Sequence, residues 1–164
     1  MAKVAISIGS NLGDKFANVR GSVKHIAELE RTELLSVSSL YKTEPVGYEP
    51  QEDFINMAVV IDTELEPYEL LEQLQQIEQD FKRERTIPNG PRTLDLDIIS
   101  YEGVTIDEPK LTIPHPRMNW RRFALEPLAE IAPELEPRDD GKTIETLLKD
   151  CEDDSSVVLI EKFE

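Results

Sequence analysis

The chain has 164 residues, of which 39% are hydrophobic, and it carries a formal net charge of −16. This length allows one domain with a substantial core, and the negative charge argues against nucleic-acid binding, which needs a basic surface. No apolar run approaches the roughly 20 residues that cross a membrane. The first residues read as a strand and not as a signal peptide. Because Cys151 is the single cysteine, no internal disulfide can form, and we expect a cytoplasmic protein.

The predicted elements alternate between strands and helices. They are a strand at residues 4–8, a helix that runs from the loop at 9–14 to about Glu30, a strand at 34–41, a long Pro/Gly loop at 43–53, a strand at 54–63, a helix from Pro67 to about Phe81, a polar loop at 83–89 and a strand at 94–101. An irregular stretch at 111–123, short helices at 123–131 and 142–149 and a strand at 157–160 follow.

The order β-α-β-β-α-β predicts an α+β fold with a ferredoxin-like split βαβ core. We expect one antiparallel-containing sheet, helices on one face and C-terminal additions. We also expect a single domain over residues 1–164, with an acidic extension at 134–164. The other face of the sheet is then left for a ligand, next to the loops at 9–14, 43–53, 83–92 and 112–123.

The segment 90–99 combines a turn, an arginine, two carboxylates and an apolar strand. Asp95 and Asp97 are two residues apart, so a strand places both on the same face, where their charges repel each other. A divalent cation would relieve this repulsion, and Mg²⁺ takes one or two carboxylates together with substrate phosphates. Arg92 can hold such a phosphate in a bidentate fork. The alternative is a solvated strand end, because D-x-D is short and common.

Positive charge is concentrated in the middle of this acidic chain. Residues 82–122 carry a net charge of +2, while the rest of the chain carries −18. This distribution favours a pocket for a small polyanion such as a nucleoside triphosphate, although chance clustering is the alternative. The candidate phosphate ligands are Arg83, Arg85, Arg92, His115 and Arg121. His115 lies between two prolines, which hold its backbone stiffly, as suits ligand contact.

Asparagine and phenylalanine side chains indicate a second ligand. Asn56 lies within an apolar strand, where a buried amide needs partners, and Phe54 faces the same way. Together with Asn11, the amide suits a planar heterocycle with alternating donors and acceptors. Phe54 and Phe123 can stack on such a ring. Plain core packing is the alternative for both aromatic residues.

Several motifs recur in order at characteristic spacing. They are Ile8-Gly9-Ser10-Asn11-Leu12-Gly13, Tyr41-Lys42-Thr43-Glu44-Pro45-Val46-Gly47, Phe54-Ile55-Asn56-Met57-Ala58, the Glu78 and Arg83 pair, Gly90-Pro91-Arg92-Thr93-Leu94-Asp95-Leu96-Asp97, Pro114-His115-Pro116-Arg117-Met118 and Arg121-x-Phe123. Over residues 4–135 the chain therefore resembles the 6-hydroxymethyl-7,8-dihydropterin pyrophosphokinases of folate biosynthesis.

This resemblance implies transfer of pyrophosphate from ATP to the hydroxymethyl group of 6-hydroxymethyl-7,8-dihydropterin, with release of AMP. It implies that Asp95 and Asp97 bind two Mg²⁺ ions and that Arg83 and Arg92 join them as catalytic residues. Near the nucleotide it implies Gln75, Arg85, Ile98, Thr112, His115 and Arg121. Around the pterin it implies Asn11, Thr43, Val46, Phe54, Asn56 and Phe123. Glu78 is expected to hold the arginines of the pocket in place. A monomer without nucleic-acid or membrane partners is expected.

One stretch departs from the family pattern. Members usually have a basic residue and then an aromatic residue before Gly-Pro-Arg, whereas this chain has Pro88 and Asn89. Two alternatives therefore stay open beside the enzyme: a ferredoxin-like module that binds nucleotide and pterin without turnover, and a related transferase that acts on a modified pterin. The intact Asp95 and Asp97 pair favours the enzyme.

Overall fold

The computed structural model describes residues 1–45, 51–81, 93–117, 121–138 and 140–163. Its strands are β1 (Ala2–Ser10), β2 (Thr32–Val37), β3 (Leu40–Thr43), β4 (Phe54–Thr63), β5 (Asp95–Tyr101), β6 (Ile106–Asp107), β7 (Thr112–Ile113) and β8 (Val157–Glu161). Its helices are α1 (Lys15–Ala27), α2 (Pro67–Asp80), α3 (Arg122–Ile131) and α4 (Ile144–Lys149). No helix in these ranges has the length and apolarity that crossing a membrane requires.

The main sheet has the order β5-β1-β4-β3-β8, and β2 pairs with β4. Every pair of neighbouring strands is antiparallel. Since β2 and β3 lie one after the other along β4, the chain follows the ferredoxin-like path, with α1 and α2 as the two crossover helices. The predicted fold class is confirmed. The short strands β6 and β7 form a separate hairpin.

The predicted strand at 34–41 is divided in two. At the break, Ser38 N–H donates to the Ala58 carbonyl (2.9 Å), and the Ala58 N–H donates to Ser38 Oγ (2.8 Å). The serine hydroxyl thus replaces a backbone acceptor where the strand bends. Helix α1 also ends at Ala27, three residues before the predicted end at Glu30.

One face of the sheet packs against α1 and α2, as expected. Alternate residues of β1 point to this face, because side chains along a strand alternate. The resulting core contains Val4, Ile6 and Ile8 of β1, Val19, Val23 and Ile26 of α1, and Leu70, Leu74 and Ile77 of α2. This layer fixes the sheet on which the site is built.

Part of the opposite face is covered by the C-terminal additions. Leu125 and Leu128 of α3 pack with Ala5, Ala58 and Ile99, which lie on three neighbouring strands. Small residues on the central strands allow this helix to approach the sheet closely. The face that the sequence left for a ligand is therefore partly occupied, and among the described residues α3 leaves the end that carries Asp95 and Asp97 partly exposed.

The acidic extension at 134–164 packs onto this framework. Helix α4 starts at Thr143, whose Oγ1 accepts the Thr146 N–H (3.2 Å), and its buried Ile144 joins the cluster beneath α3. Strand β8 then pairs with β3 and forms one edge of the main sheet.

Candidate active site

Strand register gathers three of the predicted site residues at one end of one sheet face. On β1, Gly9 lies opposite both Asp95 on β5 and Asn56 on β4, and Ser7 lies opposite Asp97. Directly paired residues of antiparallel strands share a face. The two aspartates and Asn56 are therefore on the same face, which is the one that α3 covers further along the strands.

His115 lies beside the carboxylate pair. Its N–H donates to the Ile99 carbonyl (2.9 Å), which holds this loop against β5, and its Nε2 is 3.9 Å from Asp97 Oδ1. The Arg117 N–H donates to His115 Nδ1 (3.2 Å), so the proton of the neutral ring is assigned to Nε2, on the side of Asp97.

The electrostatics of this corner keep His115 neutral. Burial disfavours the charged ring and lowers the pKa of His115 from 6.5 to about 4; the positive charge of Arg117 also lowers it, while Asp95 acts in the opposite direction. Near pH 7 the imidazole is therefore a neutral N–H donor close to Asp97.

The carboxylate pair fits Mg²⁺ that arrives with phosphates. Among the described residues, no cluster of three or more His, Cys, Asp or Glu side chains is arranged to hold a metal. Asp95 and Asp97 are both partly exposed at the open end of the sheet face. Two carboxylates are the usual protein share of a Mg²⁺ site that takes its other oxygens from nucleotide and water. The donor set therefore matches a metal–nucleotide complex better than a preformed protein cage.

Asn56 is held in a fixed orientation next to these carboxylates. Its Nδ2 donates to Thr43 Oγ1 (2.6 Å), and both residues are buried. A Cβ atom added to Gly9 would lie 2.5 Å from Asn56 Oδ1 and 3.5 Å from Cδ2 of Phe54. The predicted group of Thr43, Phe54 and Asn56 is thus assembled over the bare backbone of Gly9.

Asn11 is buried and joins two loops. Its Nδ2 donates to Gln51 Oε1 (2.6 Å) and to the Glu52 carbonyl (3.1 Å). It therefore connects the end of β1 to the segment that leads into β4. This places Asn11 at the site end of the sheet, while its predicted contact with a ring stays a prediction.

Helix α3 directs its first turn towards the same end. In its last turn, Glu130 accepts hydrogen bonds from the Ser39 N–H (2.9 Å), the Ser39 hydroxyl (2.8 Å) and the Tyr41 hydroxyl (2.7 Å). In its first turn, the Arg122 N–H donates to Asp153 Oδ2 (3.1 Å). Asp153 lies shortly before β8, whose first residue, Val157, pairs with Thr43 at the end of β3. The helix therefore runs antiparallel to β3, and Arg121 and Phe123 lie at its site end.

Three residues predicted near the nucleotide have local surroundings that differ from those of the carboxylates, and their role stays a prediction. The Ile98 side chain lies in the core on the opposite face, because it alternates with Asp97. Gln75 is exposed on α2, the helix that covers that opposite face. Thr112 lies in β7, where its Oγ1 donates to the Glu108 carbonyl (3.3 Å). A nucleotide could meet Ile98 only through its backbone at the outer edge of β5.

Several predicted residues fall outside the described ranges. They are Val46, Arg83, Arg85 and Arg92, together with Pro88 and Asn89. Their roles stay predictions.

Glu78 makes a contact with the backbone of β5 that was not predicted from the sequence. It is buried on α2, and its Oε2 accepts the Leu96 N–H (2.8 Å). Leu96 lies between the two aspartates on an edge strand. The carboxylate thus fixes the outer edge of β5 at the point where Asp95 and Asp97 are presented; the predicted role of Glu78 towards the arginines stays a prediction.

The sequence-based predictions did not include three further residues that support the site, namely Gly9, Glu130 and Asp153. An isolated glycine inside a strand indicates a close approach of another group, so Gly9 carried a usable signal. The partners of Glu130 are 89 and 91 residues away in sequence, and Arg122, the partner of Asp153 on α3, is 31 residues away, so no local pattern predicts either contact with the site elements.

Comparisons with known proteins identify the family of the chain. The family model described as 7,8-dihydro-6-hydroxymethylpterin-pyrophosphokinase matches residues 5–133. The chain is 47% identical over 131 residues to the 2-amino-4-hydroxy-6-hydroxymethyldihydropteridine pyrophosphokinase of Bacillus subtilis, covering 80% of this chain and 78% of that protein. It is 42% identical over 135 residues to the protein of the same name from Methylorubrum extorquens, covering 82% and 85%.

Solved structures share the fold. A structure of Plasmodium falciparum HPPK-DHPS superposes with a TM-score of 0.71 at 16% sequence identity, over 90% of this chain and 45% of that longer chain. At this identity the likeness concerns the fold alone.

Proposed function

Since the chain belongs to the 7,8-dihydro-6-hydroxymethylpterin-pyrophosphokinase family, we propose that the open end of the sheet face is its active site. The activity is that of a 2-amino-4-hydroxy-6-hydroxymethyldihydropteridine diphosphokinase. It transfers pyrophosphate from ATP to the hydroxymethyl group of 6-hydroxymethyl-7,8-dihydropterin in folate biosynthesis and releases AMP. The observation that carries the location of the site is the shared face of Asp95, Asp97 and Asn56.

Asp95 and Asp97 are proposed to hold Mg²⁺ that enters with ATP, with two ions as the expected number. Bound there, the metal neutralises charge on the phosphate oxygens and orients the transferred group. The two carboxylates project from a strand that is paired with β1 on one side and held by Glu78 on the other. Their positions are therefore fixed before the nucleotide arrives.

The reaction forms a bond between the hydroxymethyl oxygen and the β-phosphorus, and it breaks the bond from that phosphorus to the oxygen that stays on AMP. In such transfers, positioning and charge stabilisation contribute more than a strong protein base. We assign charge stabilisation to Arg83, Arg92 and Arg121. His115, neutral at pH 7, is assigned to donate its Nε2 proton in a hydrogen bond to a phosphate oxygen.

The pterin is proposed to bind beside Asn56. The Thr43 hydroxyl fixes the orientation of this amide, so its polar atoms are set for one edge of a planar ring. Phe54 and Phe123 are the proposed stacking partners, and Asn11 and Val46 complete this side. The heterocycle would thus lie next to the carboxylate pair, with its hydroxymethyl group towards the phosphates.

The test is product analysis with ATP, Mg²⁺ and the pterin. We expect AMP and pterin diphosphate in equal amounts, and neither product when the pterin or Mg²⁺ is omitted. Formation of ADP would indicate transfer of a single phosphoryl group and would contradict the proposal. Calorimetric binding of the pterin without any AMP would instead support the module without turnover, for which Pro88 and Asn89 are the sequence argument. A monomeric state and a cytoplasmic location stay predictions.

A further inference from the structure

The C-terminal segment 150–161 lies outside the stretch that the family model matches, which ends at residue 133. It nevertheless contacts two elements of the site. Its first part is anchored beneath α3, because Cys151 packs against the cluster that contains Leu128 and Ile144. From there the segment passes the first turn of α3 and then pairs with β3.

Asp153 caps α3 from outside the helix. The residue at the N-cap position, Arg121, makes no capping hydrogen bond with its side chain. Asp153 Oδ2 instead accepts the Arg122 N–H (3.1 Å), which is one of the backbone donors that a helix leaves without an internal partner. A negative charge at this end also interacts favourably with the helix dipole.

The capping carboxylate is itself held in place. Its Oδ1 accepts the Ser155 N–H (3.0 Å) and also the Ser155 hydroxyl. Burial alone would raise the pKa of Asp153, but these bonds, the bond from Arg122 and the nearby charge of Arg121 outweigh burial, so the pKa is lowered. The group is therefore charged at neutral pH.

The same segment holds the loop after β3. The Glu44 N–H donates to the Ser156 carbonyl (3.2 Å), the Ser156 N–H donates to Glu44 Oε1, and Val157 pairs with Thr43. Only two residues separate Asp153 from Ser156. One short stretch thus fixes the start of α3, which carries Phe123, relative to the end of β3, which carries Thr43.

We propose that residues 150–161 are a positioning element of the pterin site and that Asp153 is its positioning residue. This inference rests on the proposed function, because Thr43 and Phe123 are assigned there to the pterin. Without the cap the first turn of α3 frays, and pterin binding must reorder it. The apparent affinity for the pterin then equals the affinity of the ordered form multiplied by the fraction of molecules in which the turn is formed.

The test compares Asp153→Ala with one conservative variant and two controls. Asp153→Asn keeps one oxygen that can accept the Arg122 N–H, but it loses the charge and the second oxygen, which accepts from Ser155. Asp154→Ala removes the neighbouring exposed carboxylate. Thr143→Ala removes the cap of α4, which is a comparable structural loss away from the site. The readouts are the melting temperature and the dissociation constant of 6-hydroxymethyl-7,8-dihydropterin, measured by calorimetry with Mg²⁺ and a non-hydrolysable ATP analogue.

We expect Asp153→Ala to weaken pterin binding by up to about fivefold. This factor corresponds to the roughly 1 kcal/mol of stability that a helix cap contributes, when the uncapped turn forms only on binding. Asp154→Ala and Thr143→Ala should change the dissociation constant less than twofold, although Thr143→Ala should lower the melting temperature. Asp153→Asn should weaken binding less than Asp153→Ala does, because one side-chain oxygen can still accept the Arg122 N–H. A change below twofold in Asp153→Ala, or an equal change in Thr143→Ala, would overturn the proposal. If Asp153→Ala does not fold, Ser155→Ala is the second test, because it removes one of the bonds that hold Asp153. It should raise the dissociation constant of the pterin by a smaller factor. An unchanged dissociation constant would refute the inference.

Failure of the function can be told apart from failure of this inference. A wild-type chain that binds the pterin without forming AMP overturns the function, while the comparison of dissociation constants still decides the role of Asp153. A wild-type chain that does not bind the pterin overturns both.

Discussion

Gly9 on β1 and Asn56 on β4 approach so closely that a Cβ atom on Gly9 would lie 2.5 Å from Asn56 Oδ1. The two residues are direct partners in the antiparallel register, so a side chain on residue 9 would force the Asn56 amide out of its present orientation, in which it donates to Thr43. The absence of a side chain at residue 9 therefore sets the position of the amide that we assign to the pterin.

We predict that Gly9→Ala lowers both stability and pterin affinity. The new methyl group overpacks the site and should cost about 1–3 kcal/mol of unfolding free energy. Urea unfolding and calorimetric titration of the pterin measure the two effects. The control is the same substitution in an Asn56→Ala background, where the clashing oxygen is gone and the stability cost should largely disappear. Equal costs in both backgrounds would contradict the close contact as the cause.

We predict that Asp97→Ala abolishes turnover and leaves the fold intact. The substitution removes a proposed metal ligand and relieves repulsion from Asp95, so stability should not fall. AMP release should drop by at least about a hundredfold, which corresponds to roughly 3 kcal/mol of lost transition-state stabilisation. Asp107→Ala, at an exposed carboxylate on β6, is the matched control and should retain activity. Near-normal AMP release by Asp97→Ala would refute the metal assignment.

We predict that His115 gains its proton only near pH 4. The chain has two histidines, so a His25→Gln variant leaves the His115 ring as the single imidazole to follow by NMR titration. Burial lowers its pKa from 6.5 to about 4. Between pH 4 and pH 6.5, His115 is protonated in the unfolded chain but neutral in the folded chain. The free energy of unfolding should therefore fall as the pH drops from about 6.5 to about 4. A midpoint at or above 6.5 would disagree with the buried geometry.

We predict that Glu130→Ala destabilises the packing of α3 on the sheet. Three donors from the buried residues Ser39 and Tyr41 lose their acceptor, which should cost about 1–3 kcal/mol. Chemical denaturation measures this loss, and Glu134→Ala, at an exposed site just beyond the helix, serves as the control.

The pH dependence of the stability difference between the wild type and Glu130→Ala provides a second check. Burial raises the pKa of Glu130, but the hydrogen bonds from Tyr41 and Ser39 and the charge of Lys162 lower it below the usual 4.5 overall. The stabilisation is therefore present above about pH 4.5 and is lost as the pH falls through the lowered pKa. The stability difference between wild type and Glu130→Ala should shrink in acid, and a difference independent of pH would exclude a role for the carboxylate charge.

The carboxylate pair could be predicted from the sequence because its geometry is local. Asp95 and Asp97 share a face wherever the segment forms a strand, and the apolar residues that follow indicate a strand. The same alternation places Ile98 on the opposite face, where its side chain joins the core. Its assignment near the nucleotide came from resemblance, and the structure leaves only its backbone available for that contact.

The contacts that fix the two ends of α3 could not be predicted in this way. Asp153 accepts a hydrogen bond from the first turn and Glu130 accepts hydrogen bonds in the last turn, and these contacts join segments that are remote along the chain. Nothing in the neighbouring residues distinguishes these two acids from the many others in a chain with 34 acidic residues. Their roles depend on where α3 lies on the sheet.

The sequence by itself determined the order of strands and helices, the ferredoxin-like topology, the family motifs and the common face of Asp95 and Asp97. These follow from side-chain periodicity and turn chemistry, which act over a few residues. Only the tertiary structure decided that Gly9 lies beneath Asn56, that Glu78 holds the edge of β5, and that the acidic C-terminal segment fixes the first turn of α3. Those contacts require strand register and helix docking, which are set by the packing of surfaces from distant parts of the chain.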